Sequence, residues 1–320
     1  MREGMPAVSV LMPVYNGERY LAAAVESILA QTFGDIEFLI VDDGSADATP
    51  AILAGYAARD ARVRVLRNPS NRGLVASLNH GLEEARAPLV ARMDADDIAR
   101  PERLARQVAF LSGNPDHGLV GTWAEIWVED KRSPRAHRHP ASNALLRTLL
   151  LFNNPFVHSS VMFRADVARE LGGYAVGRTG SFTEDYEFWS RIARVRKVAN
   201  IPLFLQVYRE QVGSVTDRRE NRYADSIVEI SVANIEALLG EGYGHLIRDI
   251  VRMYHKQFGP YDTGAVETIR FAITLLSKAW CAYGLDPRGL CLYGKMFVGI
   301  LKNYHQNRRF VRDHAHTPHG

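Results

Sequence analysis

Three carboxylates follow a short apolar segment in the first third of the chain. Asp94, Asp96 and Asp97 come directly after residues 88–93, which have the length and composition of a buried strand in a parallel sheet. Asp94 and Asp96 are two residues apart, so their side chains point the same way in an extended backbone. Two carboxylates on one side repel each other unless a cation lies between them, and Mg²⁺ or Mn²⁺ usually completes its coordination shell with water and phosphates. The segment indicates a site for a metal ion and a diphosphate; the alternative is an acidic turn before a helix that starts near Pro101.

Strands and helices alternate around this segment. Strands are predicted at residues 7–13, 36–41, 62–66 and 88–93, and helices at residues 18–30, 48–59 and from 71 onward. This alternation predicts a mostly parallel sheet with right-handed crossovers, flanked by helices. Polar turns follow three of the strands: Tyr15-Asn16, Asp42-Asp43 and Asp94-Ala95-Asp96. Because the carboxyl ends of parallel strands share the edge of a sheet where nucleotides bind, we expect the three turns to lie close together.

Two common phosphate-binding loops are missing from the sequence. No G-x-G-x-x-G follows the first strand, and no Gly-Lys-Ser/Thr sequence is present. These absences argue against a dehydrogenase and against a P-loop nucleoside triphosphatase. A metal held by aspartates remains as the evident way to bind a diphosphate.

Four segments resemble the family 2 glycosyltransferases of the GT-A fold. They are residues 8–17, 41–45, 71–74 and 93–97, and they match the family in order and spacing as well as in residues. The resemblance covers residues 6–216, about two thirds of the chain. It implies an α/β, Rossmann-like GT-A fold with a mostly parallel central sheet flanked by helices. We therefore expect a GT-A catalytic domain at residues 1–216 and a helical C-terminal extension at residues 217–320.

The resemblance also implies which residues hold the donor. Eight residues at the strand ends would bind a nucleotide sugar: Pro13, Tyr15, Asp42, Asp43, Arg72, Gly73, Asp94 and Ala95. Pro13 and Tyr15 would line the base and ribose pocket, and Asp43 would contact the base or the ribose. Asp96 would be the main ligand of Mn²⁺ or Mg²⁺, with Asp94 beside it. For residues 42–45 and 71–73 the alternative is an ordinary turn, since Asp, Asn, Gly and Ser all favour turns.

A second acidic pair opens a predicted helix later in the chain. Thr183 precedes Glu184 and Asp185, and a helix cap with acids at the positive end of the helix dipole would explain all three residues. The family resemblance implies instead that Asp185 is the general base for the acceptor hydroxyl. Glu184 would then orient Asp185 or contact the donor sugar. A base opposite the leaving diphosphate gives inversion at the anomeric carbon.

Three further stretches have two readings each. Residues 153–164 resemble the acceptor side of the family, and His158 would contact the acceptor or a phosphate there, or be a structural histidine. The basic residues 131–139 are predicted to form a solvated loop, or a flap near a phosphate or anionic lipid head group. Gln211 stands where many relatives have a histidine, so a metal or phosphate role at that position is in doubt.

Composition sets the broad class. Apolar residues make up 47% of the chain and the formal net charge is +3, and no nucleic-acid-binding motif is present, so no nucleic-acid partner is expected. Cys281 and Cys291 show no metal-ligand spacing, and no segment approaches the roughly 20 apolar residues of a membrane span. We expect a cytoplasmic protein. Residues 221–320 have a helical pattern with a basic end at Arg308, Arg309 and Arg312, either a cap on the catalytic domain or a peripheral contact with the inner face of the cell membrane.

The expected function is sugar transfer. The resemblance implies an inverting, metal-dependent glycosyltransferase that moves a sugar from a nucleoside-diphosphate donor to a hydroxyl of a glycan or lipid-linked acceptor, in surface polysaccharide biosynthesis. A UDP-sugar is favoured as donor, with dTDP- and GDP-sugars as alternatives. The competing hypotheses are a sugar-phosphate nucleotidyltransferase, whose glycine-rich signature residues 14–17 lack, and a non-catalytic sugar-nucleotide-binding subunit.

Overall fold

The computed structural model describes residues 4–128, 130–175, 183–210, 220–240, 242–257, 261, 263–284 and 287–314. The chain divides into two compact units. The first consists of Met1–Ala141 and Pro155–Glu220, and the second of Ser142–Asn154 and Asn221–Gly320. A domain boundary at residue 216 stays a prediction, but the second unit includes a segment that the sequence analysis placed in the catalytic domain.

The first half of unit one is the expected alternation of strands and helices. Its elements are β1 (Val8–Val14), α1 (Leu21–Leu29), β2 (Ile36–Asp42), α2 (Thr49–Arg59), β3 (Val63–Arg67), α3 (Leu74–Glu84) and β4 (Leu89–Arg92). The strands lie in the order β3-β2-β1-β4 and are parallel throughout. Every residue of β1, β2 and β4 is buried, so polar groups reach a ligand only where these strands end.

The second half of unit one turns the sheet into a mixed one. Its elements are β5 (Ile98–Ala99), α4 (Arg103–Gly113), β6 (His117–Val128), β7 (Lys131–His137), β8 (Met162–Arg164), α6 (Ala165–Glu170), α7 (Glu184–Val195) and β9 (Lys197–Glu210). Strand β8 runs antiparallel to both β4 and β6, and β9 runs parallel to β6. The α/β fold with a central sheet flanked by helices is confirmed, and its parallel character is confined to β1–β4 and the β6–β9 pair.

One expectation for this half was wrong in detail. Residues 131–137 form strand β7 rather than a loop, pairing antiparallel with β6 from Val128↔Lys131 to Ala124↔His137. Among the described strands β7 pairs with β6 alone, and an edge strand tolerates the Pro134 and the cations that made the segment resemble a loop. Strand β9 follows β6 along its whole length, from Lys197 to Glu210.

Unit two is helical. Its elements are α5 (Asn143–Leu149), α8 (Glu220–Leu239), α9 (Gly244–Tyr254), α10 (Ala265–Tyr283) and α11 (Pro287–His314). Leu151 and Phe152, just after α5, belong to the same buried cluster as Ile235, Ile250 and Leu275. Within the described part of the chain, none of the helices combines the length and the apolar character needed to cross a bilayer.

Candidate active site

The ends of β1 and β2 are joined by a backbone hydrogen bond. The Asp43 N–H donates to the Val14 carbonyl oxygen at 2.8 Å. Pro13 is buried near the end of β1, whereas Tyr15 in the following turn is 50% exposed. Of the two residues predicted to line the base pocket, Tyr15 is therefore the one with a surface that a ligand can reach.

The Asp43 carboxylate organises the loop before α3. It is almost fully buried, and one oxygen accepts hydrogen bonds from Asn68 Nδ2 (2.7 Å) and the Arg72 N–H (2.9 Å). The other oxygen accepts from the N–H of Gly73 at 2.8 Å. Gly73 has φ +87°, a conformation that favours glycine. The structure thus brings Asp43, Arg72 and Gly73 together, with Asp43 supporting the loop and the Arg72 side chain exposed on it.

Asp42 is occupied within its own turn. One of its oxygens accepts from the Ser45 N–H at 2.9 Å, and the other lies 3.5 Å from Arg67 Nε. The side chain is 1% exposed. These contacts are those of the turn-forming alternative, so a direct contact between Asp42 and a nucleotide stays a prediction.

Asp94, Ala95 and Asp96 lie half-buried just beyond β4. Asp94 Oδ1 lies 2.7 Å from a terminal guanidinium nitrogen of Arg92, in an ion pair rather than an aligned hydrogen bond. Arg92 is 1% exposed, so it holds Asp94 from inside the sheet. Carboxylate oxygens on Asp94 and Asp96 are the hard donors that Mg²⁺ and Mn²⁺ prefer, so these two residues fit a metal whose remaining ligands are water and phosphate. The described residues include no cluster of three or more His, Cys, Asp or Glu side chains placed to hold a metal.

The third carboxylate of this segment, Asp97, has a structural role. It is buried, and it accepts hydrogen bonds from the Arg209 N–H (2.8 Å) and the Ser159 hydroxyl. Burial, reinforced by Asp96 and Asp94, raises the pKa of Asp97 well above its usual range. Its contacts fix the turn that presents Asp94 and Asp96.

A second buried guanidinium, that of Arg103, holds the segments next to the turn of Asp94 and Asp96. Arg103, in the first turn of α4, donates to Gln206 Oε1 (2.6 Å), the Ser159 carbonyl (2.8 Å) and the Arg92 carbonyl (2.7 Å). Burial lowers the pKa of Arg103 to about 9, so it remains charged at neutral pH. This arginine therefore ties α4, β4 and β9 together under the site.

His158 lies between the end of β4 and the start of α7. Its Nε2 is 3.3 Å from Arg92 Nε and 3.1 Å from the Tyr174 hydroxyl, and its Nδ1 is 3.8 Å from Glu184 Oε1. Burial, together with the charge of Arg92, lowers the pKa of His158 well below its usual value, so the ring is neutral at neutral pH. The predicted acceptor-side histidine is thus a link between the two acidic segments.

Glu184 and Asp185 occupy the first turn of α7, as predicted. Burial, and next the neighbouring Asp185, raise the pKa of Glu184 to about 8, and Glu184 Oε2 has no hydrogen-bond partner among the described residues. Asp185 is half-buried and accepts the Tyr186 N–H at 2.7 Å. The expected cap is wrong for Thr183: its hydroxyl makes no capping hydrogen bond and is buried without a partner in the described part of the chain.

Comparison with known proteins establishes the family. The family model described as glycosyl transferase family 2 matches residues 9–172. The chain belongs to glycosyltransferase family 2. It is a glycosyltransferase, which decides against the nucleotidyltransferase and the non-catalytic binding subunit.

One curated relative and two solved structures match this chain over most of its length. The amylovoran biosynthesis glycosyltransferase AmsE of Erwinia amylovora is 33% identical over 225 residues, which cover 69% of this chain and 83% of AmsE. The structure of S. aureus TarS 1-349 with UDP-GlcNAc aligns with a TM-score of 0.64 at 16% identity, over 96% of this chain and 91% of that one. The mannosyltransferase PcManGT from Pyrobaculum calidifontis, in complex with GDP-Man and Mn²⁺, aligns with a TM-score of 0.54 at 18% identity, over 95% and 88% of the two chains. At these identities the two structures establish the fold alone.

Sequence reasoning missed the residues behind the acidic pairs. Arg92, Arg103 and Tyr174 are each at most 1% exposed and are in contact with predicted site residues or with the strand that carries them. Arg92 did carry a signal, because a charged side chain in a four-residue buried strand requires a partner. Gln211 lies outside the described residues.

The raised pKa of Glu184 predicts a pH dependence of stability. Its folded-state pKa of about 8 lies above the ordinary glutamate value of 4.5, so the folded protein binds more protons and loses stability as pH rises through that window. Glu184→Gln should remove on the order of 2 kcal/mol of the loss between pH 5 and pH 8. Urea unfolding at the two pH values measures this. Glu83→Gln, an exposed glutamate on α3, serves as the control and should keep the wild-type slope, and an equally steep loss in Glu184→Gln would contradict the assignment.

Proposed function

We propose that this glycosyltransferase inverts the configuration of a sugar that it moves from a nucleoside-diphosphate donor to a hydroxyl of a glycan or lipid-linked acceptor. The observation that carries the proposal is the chain of contacts from Asp94 through Arg92 and His158 to Glu184. These contacts connect Asp94, which is suited to bind a metal and a diphosphate, with the helix turn that carries the proposed base, Asp185. The name of AmsE supports a role in surface polysaccharide biosynthesis, and the cytoplasm is the compartment proposed for it.

The donor would lie along the ends of β1, β2 and β4. Tyr15 offers an exposed ring for the base, and the loop held by Asp43 offers the Arg72 guanidinium for the diphosphate. A UDP-sugar is the favoured donor, which the UDP-GlcNAc complex of TarS supports, and the GDP-Man complex of PcManGT keeps GDP-sugars as an alternative beside dTDP-sugars. Pro13 and Ala95 would shape the walls of this pocket.

Asp96 and Asp94 would hold Mn²⁺ or Mg²⁺. When bound, the metal would offset the negative charge that grows on the leaving diphosphate. The Arg92 guanidinium already balances part of the charge of Asp94, and a divalent ion would balance the rest. The Mn²⁺ in the PcManGT complex supports this choice of cofactor.

Asp185 would be the general base. Glu184, with its pKa raised to about 8, is largely protonated at neutral pH and is a poor proton acceptor there. Asp185 is more exposed and lies in the first turn of α7, where the helix dipole favours a negative charge. It would take the proton of the acceptor hydroxyl as that oxygen attacks the anomeric carbon on the face opposite the diphosphate. One C–O bond forms as the other breaks, and the configuration inverts.

Asp185→Asn should lower the release of nucleoside diphosphate by about 10³-fold, because the variant cannot accept a proton. Donor affinity, measured by calorimetry, should stay within about threefold, since the amide keeps the volume of the side chain. The assay follows UDP, dTDP and GDP release from a panel of nucleotide sugars, with water or an alkyl glycoside as acceptor. Asp166→Asn is the matched control: Asp166 lies in the first turn of α6 and accepts the Val167 N–H at 2.8 Å, as Asp185 accepts that of Tyr186. Near-normal turnover by Asp185→Asn would contradict the assignment of Asp185 as the general base.

Asp96→Asn should remove the metal-dependent part of donor binding. For the wild-type protein we expect the donor to raise the melting temperature more with Mn²⁺ than with EDTA, because ligand binding stabilises the folded state by mass action. In the variant that difference should vanish, with donor affinity in Mn²⁺ about tenfold lower. Asp116→Asn, an exposed aspartate paired with Lys197 at 2.7 Å, is the control and should keep the wild-type response. The same Mn²⁺ effect in Asp96→Asn would remove Asp96 from the metal site.

We also propose that unit two contacts an anionic membrane surface. Helix α11 has six Lys and Arg residues and a single Asp, and three of these cations are exposed at seven-residue intervals: Lys295, Lys302 and Arg309. Seven residues are close to two helical turns, so the three lie along one side of the helix. Val298, between them, is 63% exposed. Aligned cations beside exposed apolar groups are typical of surfaces that bind anionic lipids.

The neighbouring helix α10 supports the same proposal. Val266, Ile273 and Trp280 are 64%, 53% and 42% exposed and also follow at seven-residue intervals. Arg270 and Lys278 are exposed on the same helix. Apolar residues on one line, including a tryptophan, suit insertion at a bilayer interface. The side chains of Arg308 and Arg312, at the basic end of the sequence, lie outside the described residues.

Replacing Lys295, Lys302 and Arg309 together by Gln should weaken binding to phosphatidylglycerol-containing vesicles about 100-fold, since each cation contributes about 1 kcal/mol near such a surface. Co-sedimentation with these vesicles and with phosphatidylcholine vesicles measures the effect. The control variant replaces Lys131, Arg132 and Arg138, three exposed cations of unit one, and should bind as the wild type does. Loss of vesicle binding only in the control variant would show that the lipid-binding surface lies at β7 rather than on α11. Absence of vesicle binding by the wild-type protein would contradict the proposal.

A further inference from the structure

The neutral His158 ring can have only one of its two tautomers. Its Nε2 faces two donors, the Nε–H of Arg92 at 3.3 Å and the hydroxyl of Tyr174 at 3.1 Å. A guanidinium has no acceptor, so Nε2 must offer its lone pair, and the proton of the neutral ring is on Nδ1. That proton points the donor side of the ring at Glu184 Oε1, 3.8 Å away.

The ring is held on its remaining sides by packing. It meets Trp189 of α7 nearly edge-to-face, with centroids 5.8 Å apart. Tyr174 is itself fixed by Asn79 of α3, which donates to the Tyr174 carbonyl (2.8 Å) and accepts the Tyr174 N–H (2.9 Å). The imidazole therefore has little freedom to rotate or to exchange its two nitrogens.

The start of α7 lacks the side-chain cap that normally fixes such a helix end. Thr183 makes no capping bond, and Glu184 Oε2 has no partner among the described residues. Within the described part of the chain, the contact between Glu184 Oε1 and His158 Nδ1 is thus the one that joins Glu184 to a polar side chain outside its own helix. At 3.8 Å it is longer than a hydrogen bond, and such contacts in unloaded sites often tighten when substrates bind.

We propose that His158 is a positioning residue for sugar transfer: its Nδ1–H, oriented by Arg92 and Tyr174, fixes the Glu184 carboxyl and with it the turn of α7 that presents Asp185. His158 touches neither the reacting hydroxyl nor the metal in this assignment. The proposal rests on the proposed function, because it gives His158 a purpose only if Asp185 is the base.

Two amide substitutions separate the two sides of the ring. In His158→Asn the amide lies where Nδ1 was, so it can donate to Glu184 but leaves Arg92 and Tyr174 without their acceptor. In His158→Gln the amide lies where Nε2 was, so its oxygen can accept from Arg92 while the donor to Glu184 is lost. A buried guanidinium N–H that loses its acceptor is costly, so His158→Gln, which keeps an acceptor for the Arg92 Nε–H, should have the higher melting temperature.

The turnover number should follow the opposite order. We expect kcat to fall by about 100-fold in His158→Gln, because a misplaced general base costs about that much, and by no more than about tenfold in His158→Asn. The KM for the donor should stay within about threefold in both. A merely structural role predicts that kcat follows the melting temperature, with His158→Gln the more active. That order, or equal kcat values in the two variants, would overturn the proposal.

Controls keep the outcome separate from the proposed function. His117, whose Nδ1 lies 2.8 Å from Asp116 at the start of β6, should tolerate both substitutions with kcat within about threefold. Tyr174→Phe removes one of the two donors to Nε2 and should lower kcat less than His158→Gln does. If Tyr174→Phe lowers kcat more, the tautomer assignment is wrong. If Asp185→Asn retains wild-type turnover, the proposed function fails first, whatever the His158 variants do.

Discussion

The buried charge of Arg92 is the constraint on which the rest of the site depends. A guanidinium 1% exposed inside a four-residue strand is tolerable only if surrounding groups offer acceptors or negative charge. Asp94 supplies the charge and His158 supplies an acceptor. Both partners are thereby fixed: Asp94 lies in the turn after β4, and His158 lies beside Glu184 of α7. The compensation of a single cation thus links the turn of Asp94 and Asp96 to the first turn of α7.

Buried carboxylates likewise organise the loops after β2 and β4. Asp43 uses both carboxylate oxygens to hold the loop of Arg72 and Gly73, and Asp97 uses its oxygens to hold the turn of Asp94 and Asp96. In the second run this leaves Asp94 and Asp96 half-buried at the end of β4, whereas in the first run Asp42 is buried as well and holds its own turn.

Much of this could be predicted from the sequence. Strands β1–β4 and their helices follow from apolar runs and turn residues. The turns after β1, β2 and β4 follow adjacent parallel strands, as expected. The family was identified from four short segments. Strand β7 was not predicted because Pro134 and its cations are typical of a loop. The cap at Thr183 was wrong because the buried hydroxyl makes no hydrogen bond to the described residues. The roles of Arg92 and Tyr174 depend on contacts between residues tens of positions apart, which no local pattern encodes.

The path of the chain between the two units has a consequence for how the protein could have arisen. Residues 142–154 leave the sheet unit, add Leu151 and Phe152 to the apolar core of the helical unit, and return before β8. The helical unit is consequently not a module joined at one end of the gene. A stop codon after residue 220 would leave the side chains of Leu151 and Phe152 without the apolar core to which they belong.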